Sequence, residues 1–573
     1  MKTLLCTALL CAAAAKAQDA RNTDTPGTNT HFSAPHFASL AEWETRRAQL
    51  RRQILWSAGL VPMPAKTPLN PQVFGRIEHA DYTIEKVLLE TLPGFYLGGN
   101  LYRPVGKSGK SPGILSPHGH WSYGRLENQQ VGSIPARCIN LARQGFVVFA
   151  YDMVGYNDTA QVPHSFGDSH EQQTWSFSPL GLQLWDSIRA LDFMESLPDV
   201  DATRLGATGA SGGASQIFLL AGVDDRVKFS APVNMISLNM QGGSPCENAP
   251  GLRVGINNVE IAAIMAPRPM IMVSATGDWT HNTPKEEFPA MRAIYELYGK
   301  ADNVETVQFN AEHNYNKDSR EAVYNFFGKE ILKNPAHLVD QEFEIESPGS
   351  LLALHNRTLP PNALTFDGLF AQWKAMSASQ TDAKDSDSLR LGLQLALGTE
   401  WPEKVMSEKQ GDGIFLSRPG RGDHVPAVWF PGQGAPVLVV DEAGMDAARK
   451  SAKVSELLRA HRPVLLIDAF QTGSAVAPRD RSPRFFLTFN RSDDANRVQD
   501  VLTALRFLET QKTSGQVEVM TNGQAGTWGL YAAAVAPIHV ALTPGSAGPS
   551  SDFFVPGIDR AGGVRAATRL VHP

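Results

Sequence analysis

Residues 204–220 read RLGATGASGGASQIFLL. Leu205 to Thr208 has the pattern of a short buried strand, Gly209-Ala210-Ser211-Gly212-Gly213 is a G-x-S-x-G turn, and Ala214 to Leu220 continues as a helix of small and apolar residues. The pentapeptide alone is weak, because Gly, Ala and Ser are abundant here and a plain Gly-Ser turn reads the same way. Its place between a strand and a helix is what raises it. A turn of this kind holds the serine in a strained conformation and needs glycines so that the backbone can pack closely. It lifts Ser211 Oγ above the C-terminal edge of a sheet and leaves the Gly212 N–H at a helix N-terminus, aimed where an oxyanion would form.

Around this turn, short apolar runs alternate with helical patterns. Gly113–Ser116, Phe146–Tyr151, Val227–Val233, Pro269–Ser274 and Val304–Phe309 read as buried strands, and Ile134–Gln144, Leu180–Leu197 and Arg320–Leu332 as helices. Fully apolar short strands separated by helices predict an α/β domain, a mostly parallel sheet with helices on both faces. Ahead of it, two strand-like runs from Tyr82 to Pro104 flank the turn Leu92-Pro93-Gly94 and predict an antiparallel hairpin. Ala38–Leu60 is helical, with Arg46, Arg47, Arg51 and Arg52 expected on a solvated face. The expected boundaries are a helical extension over 18–75 and a catalytic domain over 76–340.

A serine nucleophile needs a base, and the base needs an acid to orient it. The strand Pro269–Ser274 runs into Ala275-Thr276-Gly277-Asp278, and the strand Val304–Phe309 into Asn310-Ala311-Glu312-His313. Asp278 and His313 therefore fall in loops on the same side of a parallel sheet as Ser211, in the chain order serine, acid, histidine. Taken singly, each is as well explained by a loop cap or a surface histidine. Glu312 is the rival acid, but adjacency to His313 leaves it badly placed to orient that ring.

Hydrophobic residues make up 42% of the chain and charged residues 19%, so the bulk of it is not disordered. The net charge of −6 excludes the one-signed basic surface of a general nucleic-acid binder. Lys2, the apolar run Leu4–Ala15 and Ala15-Lys16-Ala17 predict a signal peptide over 1–17, cleaved near Ala17, and export to the periplasm or beyond. Without Lys2 and Lys16 the net charge becomes −8. No later stretch is long and apolar enough to insert in a membrane. Export leaves Cys138 and Cys246, too few for a disulfide framework; one bridge between them is open in an oxidising compartment, and two separate buried thiols are the favoured expectation.

The polar stretch Ser377–Ser388 (SASQTDAKDSDS) reads as an exposed loop or linker. Beyond it the alternation begins again. Ala435–Val440 parallels Ser111–Ser116, Leu457–Asp468 parallels Leu141–Asp152, and Arg497–Glu509 parallels Trp185–Glu195. The position of Ser211 falls on Gln524, in Asn522-Gly523-Gln524-Ala525-Gly526. This order and spacing predict an internal duplication, with 341–573 a truncated, degenerate copy that packs on the first domain and lacks a nucleophile.

Leu115-Ser116-Pro117-His118-Gly119-His120-Trp121, Val200 through Gly213, Cys246-Glu247-Asn248-Ala249-Pro250, Ala266-Pro267-Arg268-Pro269 through Asp278-Trp279-Thr280, and Glu312-His313-Asn314-Tyr315 resemble secreted bacterial α/β hydrolases of the acetylxylan-esterase-like or dienelactone-hydrolase-like kind, over roughly residues 75 to 335. The resemblance implies the α/β-hydrolase fold, Ser211 as nucleophile, His313 as general acid and base, Asp278 as its orienter, and the backbone N–H groups of Gly212 and His120 as the oxyanion hole. It also implies an ester of a polysaccharide or oligosaccharide as substrate, with no cofactor. Dienelactone hydrolases carry a cysteine nucleophile; Ser211 here points to ordinary carboxylic esters. Trp121 and Trp279 are candidates to stack on sugar, and Arg125 and Arg253 to meet a uronate carboxylate, although packing explains each as well. His118 and His120 would share a face on a continuing strand, but with no third ligand in view no metal site is expected. Two rival readings are a serine peptidase of the same fold and a non-catalytic carbohydrate-binding scaffold.

Overall fold

In the computed structural model, which describes residues 19–511, 514–543 and 552–571, the chain divides into two compact units. The expected signal peptide lies outside the described residues. The larger unit comprises 26–398, 482–495 and 554–573, and the smaller 19–25, 399–481 and 496–553 among the described residues. The division therefore falls at 398/399 rather than 340/341, and the last helix, Gly563–Val571, belongs with the larger unit.

The larger unit is built on a nine-stranded sheet. Its strands are β1 (Gln72–Glu78), β2 (Tyr82–Leu92), β3 (Phe95–Pro104), β4 (Ser111–Leu115), β7 (Val147–Tyr151), β8 (Val200–Ala210), β9 (Val227–Val233), β10 (Met270–Ala275) and β11 (Val304–Phe309). A separate two-stranded ribbon, β5 (Asn128–Gln129) and β6 (Gly132–Ser133), lies outside it. The order is β1-β2-β3-β7-β4-β8-β9-β10-β11. The first three strands pair antiparallel, β3 joins β7 antiparallel, and every pairing from β7 to β11 is parallel.

Successive residues of a strand face opposite ways, so a sheet covered on both sides splits each strand between two cores. Val147, Phe149 and Tyr151 enter one apolar cluster while Val148 and Ala150 enter the other. Met270 and Met272 likewise part from Ile271 and Val273. The parallel register carries the C-terminal ends of β8, β9, β10 and β11 to one edge: Ala210 pairs with Val233, and Ala275 with Phe309.

Two expectations about the surrounding helices are corrected. Arg46, Arg47 and Arg51 of the helix Leu40–Ser57 are not a solvated face. They donate to the carbonyls of Gly255, Ile264 and Gly222, two of which end helices, where cations are favoured. The polar stretch after Ser377 is not a linker but the end of a helix, Phe366–Asp382, followed by another, Ser386–Leu397. Leu369, Trp373, Ser377 and Thr381 fall on one buried stripe, and the two hydroxyls return their hydrogen bonds to carbonyls four residues back.

The smaller unit holds a seven-stranded sheet: β12 (Met406–Gln410), β13 (Gly413–Ser417), β14 (Val425–Phe430), β15 (Val437–Asp441), β16 (Val464–Ile467), β17 (Val517–Asn522) and β18 (Val540–Leu542). Its order, β12-β13-β14-β16-β15-β17-β18, repeats β1-β2-β3-β7-β4-β8-β9 strand for strand. The parallel and antiparallel senses match as well. Among the described residues, no strand of the smaller unit corresponds to β10 or β11.

Candidate active site

Ser211 leaves β8 with φ 56° and ψ −126° and caps the helix Gly212–Val223. That conformation is costly for any residue but glycine, of order 1–3 kcal/mol, and persists only where the surroundings enforce it. Here the enforcement is visible. The Ser211 N–H donates to the Val233 carbonyl at 3.1 Å, and its own carbonyl accepts from Ser215 at 3.0 Å. A side chain at Gly209 would lie 2.6 Å from the Gly213 backbone, and one at Gly213 would lie 2.8 Å from the His118 carbonyl oxygen. These two glycine-dependent approaches leave Ser211 partly exposed, and its Oγ makes no hydrogen bond among the described residues.

Asp278 and His313 meet directly. Asp278 Oδ2 lies 2.8 Å from His313 Nδ1, and the carboxylate is buried while the ring is 28% exposed. Asp278 Oδ1 accepts from both the backbone and the hydroxyl of Thr280, which fixes the carboxylate from behind. With Nδ1–H donating to Asp278, the lone pair of His313 rests on Nε2. Glu312 is exposed, and Asp278 rather than Glu312 contacts the ring. The loop bearing His313 is tied to the strand edge beside Ser211: Asn234 Nδ2, one residue past the partner of the Ser211 N–H, donates to the Asn314 carbonyl at 3.0 Å. Below it, Tyr315 hydroxyl meets Thr208 Oγ1 at 2.6 Å, three residues before the serine.

The loop after β4 packs on the turn. A side chain at Gly119 would lie 2.7 Å from the Ala210 carbonyl oxygen and 3.3 Å from Ser211 Cβ, so only glycine admits this approach. The contact sets the next residue, His120, beside the Gly212 backbone, and its ring covers Gly212. His118 does not share this role. It is fully buried, its Nδ1 donates to the Gly119 carbonyl at 2.7 Å, and its Nε2 accepts from the Met153 N–H at 3.0 Å. Burial pushes its imidazolium down to about 3, so the ring is a neutral strut.

The other four candidates separate. Trp279 lies against His313, ring centroids 4.4 Å apart. Trp121 is half-buried, its indole over Gly132 and its Nε1 beside Gly119. Arg125 and Arg253 are not in a cleft, and both are fully buried. Arg125 is paired with Asp152 and Asp158 and donates to Asn100 Oδ1, which consumes its fork inside the fold. Arg253 donates to the Glu247 carbonyl, Asn248 and Asn258, and burial pulls it down to about 10. At Arg125 a substrate carboxylate would have to displace these partners; Arg253 keeps Nη2 without a hydrogen-bond partner, but the side chain is fully buried.

Sequence reasoning missed two residues near this edge. Thr280 had a signal, since an aspartate readily accepts from the N–H two residues on. His164 had none: it comes from the loop after β7 and reaches the rim, its ring 5.2 Å from that of His120. At the corresponding turn of the smaller unit, Gln524 has φ −59° and ψ −22°, an ordinary helical conformation, and the strain is gone. Cys138 and Cys246 are both buried and unpaired.

No family model matches the chain. Among curated proteins, the Bacillus subtilis protein YtaP, named as a hydrolase, is 26% identical over 287 residues, covering 47% of this chain and 94% of its own length. The polyketide transferase claH of Penicillium crustosum is 29% identical over 154 residues, which is 26% of this chain and 44% of that protein. Among solved structures, the methylesterase BT1017 is 32% identical, with a TM-score of 0.52, covering 60% of this chain and 78% of that one. No helix among the described residues is long and apolar enough to cross a membrane. With this fold, and with a methylesterase related at that level over most of its length, the chain belongs to the esterases of the α/β-hydrolase family.

Proposed function

We propose that the larger unit hydrolyses carboxylic esters carried by plant-type polysaccharides or their oligosaccharides, methyl esters first and acetyl esters second, through Ser211, His313 and Asp278. The observation that carries the reading is the strained Ser211 backbone at the strand edge that also bears the Asp278–His313 pair. The order of preference between esters follows the methylesterase relative.

In this reading Ser211 Oγ attacks the ester carbonyl while His313 Nε2 takes its proton. The carbonyl oxygen becomes the oxyanion, met by the N–H groups of Gly212 and His120. Asp278 holds the ring and stabilises the imidazolium that forms. Collapse of the intermediate breaks the bond to the alkoxy oxygen, and His313 returns the proton to the leaving methanol. Water then attacks the acyl-serine, giving up a proton to the same nitrogen, and the free acid leaves with Ser211 restored. For an acetyl ester the sugar hydroxyl is the leaving group and acetate the last product. No step needs an ion or organic cofactor. The smaller unit takes no part in bond breaking, since Gln524 has no nucleophilic oxygen. Export to the periplasm or outside the cell fits such a substrate.

The test is to incubate the full chain with plant cell-wall extract and quantify methanol and acetate against Ser211→Ala. Methanol lost in the variant is the expected result; acetate alone lost in it moves the assignment to a deacetylase. Neither product above the variant overturns the carbohydrate-ester reading. Turnover of peptide amides would then favour the peptidase, and glycan binding without turnover the scaffold.

A further inference from the structure

His120, His164 and Cys246 come from three separate segments: the loop after β4, the loop after β7, and the single turn Pro245–Glu247. Their donor atoms all lie within 4.8 Å of one another. Cys246 Sγ stands 3.1 Å from His120 Nε2. His164 donates from Nδ1 to the Val154 carbonyl at 2.7 Å, which fixes its proton there and leaves the lone pair on Nε2. That Nε2 is buried and has no hydrogen-bond partner. An orphaned buried acceptor aimed at a thiol and a second imidazole needs an explanation, and hydrogen bonding within the protein does not supply one. The backbone carbonyl on Nδ1 is also the kind of partner that orients a metal-binding histidine.

We propose that His120, His164 and Cys246 form a binding site for a thiophilic divalent cation of the zinc class at the rim of the active site, with water in the fourth position. Three protein donors with the fourth position left to water are the form of an open zinc site, and thiolate sulfur and imidazole nitrogen are both zinc ligands. Tetrahedral bonds of about 2.0–2.3 Å set such atoms about 3.5 Å apart, inside the 4.8 Å that holds all three donors and slightly wider than the present Cys246–His120 contact of 3.1 Å. Cys246 loses its proton to solvent as the sulfur–metal bond forms, and no electron moves. The nearly buried Glu247 bears electrostatically on both histidines and supplies nearby negative charge. His118 is excluded because both its nitrogens are engaged. The third ligand that the sequence does not show for His120 comes from distant parts of the chain. The site does not depend on the ester reading, because none of its donors is Ser211, Asp278 or the His313 ring.

The test is a cobalt(II) titration of the chelator-treated full chain. The thiolate-to-cobalt charge-transfer band in the near ultraviolet and the visible bands of a four-coordinate ion are followed together. The expected result is saturation at one equivalent, displacement by zinc, and an unchanged titration for Ser211→Ala and Cys138→Ser. Cys246→Ser abolishes the thiolate band, and His164→Gln weakens binding at least tenfold, both with unchanged thermal unfolding of the ion-free protein. Absence of the thiolate band in the unmodified chain overturns the proposal, as does its survival in Cys246→Ser. Equal affinity in His164→Gln removes that ligand and overturns the three-donor site. If either variant fails to fold, cadmium bound to the unmodified chain, read by the same charge-transfer criterion at one equivalent and competed by zinc, decides in its place.

Discussion

Asp278 presents its two oxygens to different jobs: Oδ2 lies 2.8 Å from His313 Nδ1 while Oδ1 accepts from the backbone N–H of Thr280 at 2.7 Å. The carboxylate cannot turn away from the ring without surrendering both Thr280 contacts. The imidazole is thereby committed to one tautomer before any substrate arrives, which is the preorganisation acyl transfer needs.

Asp278→Asn tests that commitment. The amide keeps the shape but can present N–H to Nδ1, driving the proton to the wrong ring nitrogen. We expect kcat for methyl-ester hydrolysis to fall about 10³- to 10⁴-fold with an unchanged unfolding midpoint. Thr280→Val, which leaves the charge in place but removes the hydroxyl contact, should cost far less. Equal activity of the two variants would show that orientation by Asp278 is not what sustains turnover.

Ser211→Gly separates chemistry from stability. The serine pays for φ 56° and ψ −126° with backbone strain that glycine does not feel. Glycine in turn loses about 0.5–1 kcal/mol through the flexibility of the unfolded chain. The net expectation is a protein more stable by about 1 kcal/mol and without esterase activity. Urea unfolding checks it, with Ser211→Ala as a control that keeps the strain. A glycine variant less stable than the alanine variant would mean that the turn is not strained in solution.

Where the sequence suffices and where it fails has a physical pattern. The turn at Ser211 is legible because its glycines are demanded locally, by backbone approaches to Gly213 and Ala210 that tolerate no Cβ. Asp278 and His313 are legible because strand ends of a parallel sheet fall on one edge whatever the loops do. Long-range burial is not legible. Arg125 reads as a free cation until Asp152 and Asp158, distant in sequence, close on it. Ser377 and Thr381 read as linker residues because their composition is polar, yet each hydroxyl satisfies itself within its helix and can be buried. The smaller unit is the intermediate case: weak identity, but a strand order that repeats the first sheet.

Asp186 gives the stability a pH dependence of known sign. It sits on the helix Pro179–Ser196, fully buried, with Oδ1 accepting from Thr91 and Oδ2 unpartnered. Burial raises its carboxyl to about 7, against the Thr91 hydroxyl, which lowers it. The unfolded chain releases this proton near pH 4. Between those limits the folded state binds a proton that the unfolded state does not, so the contribution is complete below about pH 4 and is lost as pH rises through about 7. A gap of about three pH units corresponds to roughly 4 kcal/mol, as an order of magnitude. Asp186→Asn removes the titration. We expect the variant to gain on the unmodified protein in urea midpoint between pH 5 and pH 8, and an equal difference at both would contradict the assignment.

Arg125 decides between two meanings of a cation near an active site. If it served substrate, its loss would raise KM for acidic glycans and spare the fold. The structure gives it two buried carboxylates, Asn100 and the Leu351 carbonyl instead. Removing it strands two negative charges in the interior, a cost of about 3–5 kcal/mol, and lysine restores the charge without the fork that meets two partners at once. Arg125→Lys should therefore unfold at lower urea than the unmodified protein and, under conditions where it remains folded, show the same KM for a charged and a neutral methyl ester. Adding Asp158→Asn to Arg125→Met should recover part of the loss, because one stranded charge disappears; a selective rise in KM for the charged ester with no loss of stability would return Arg125 to the cleft.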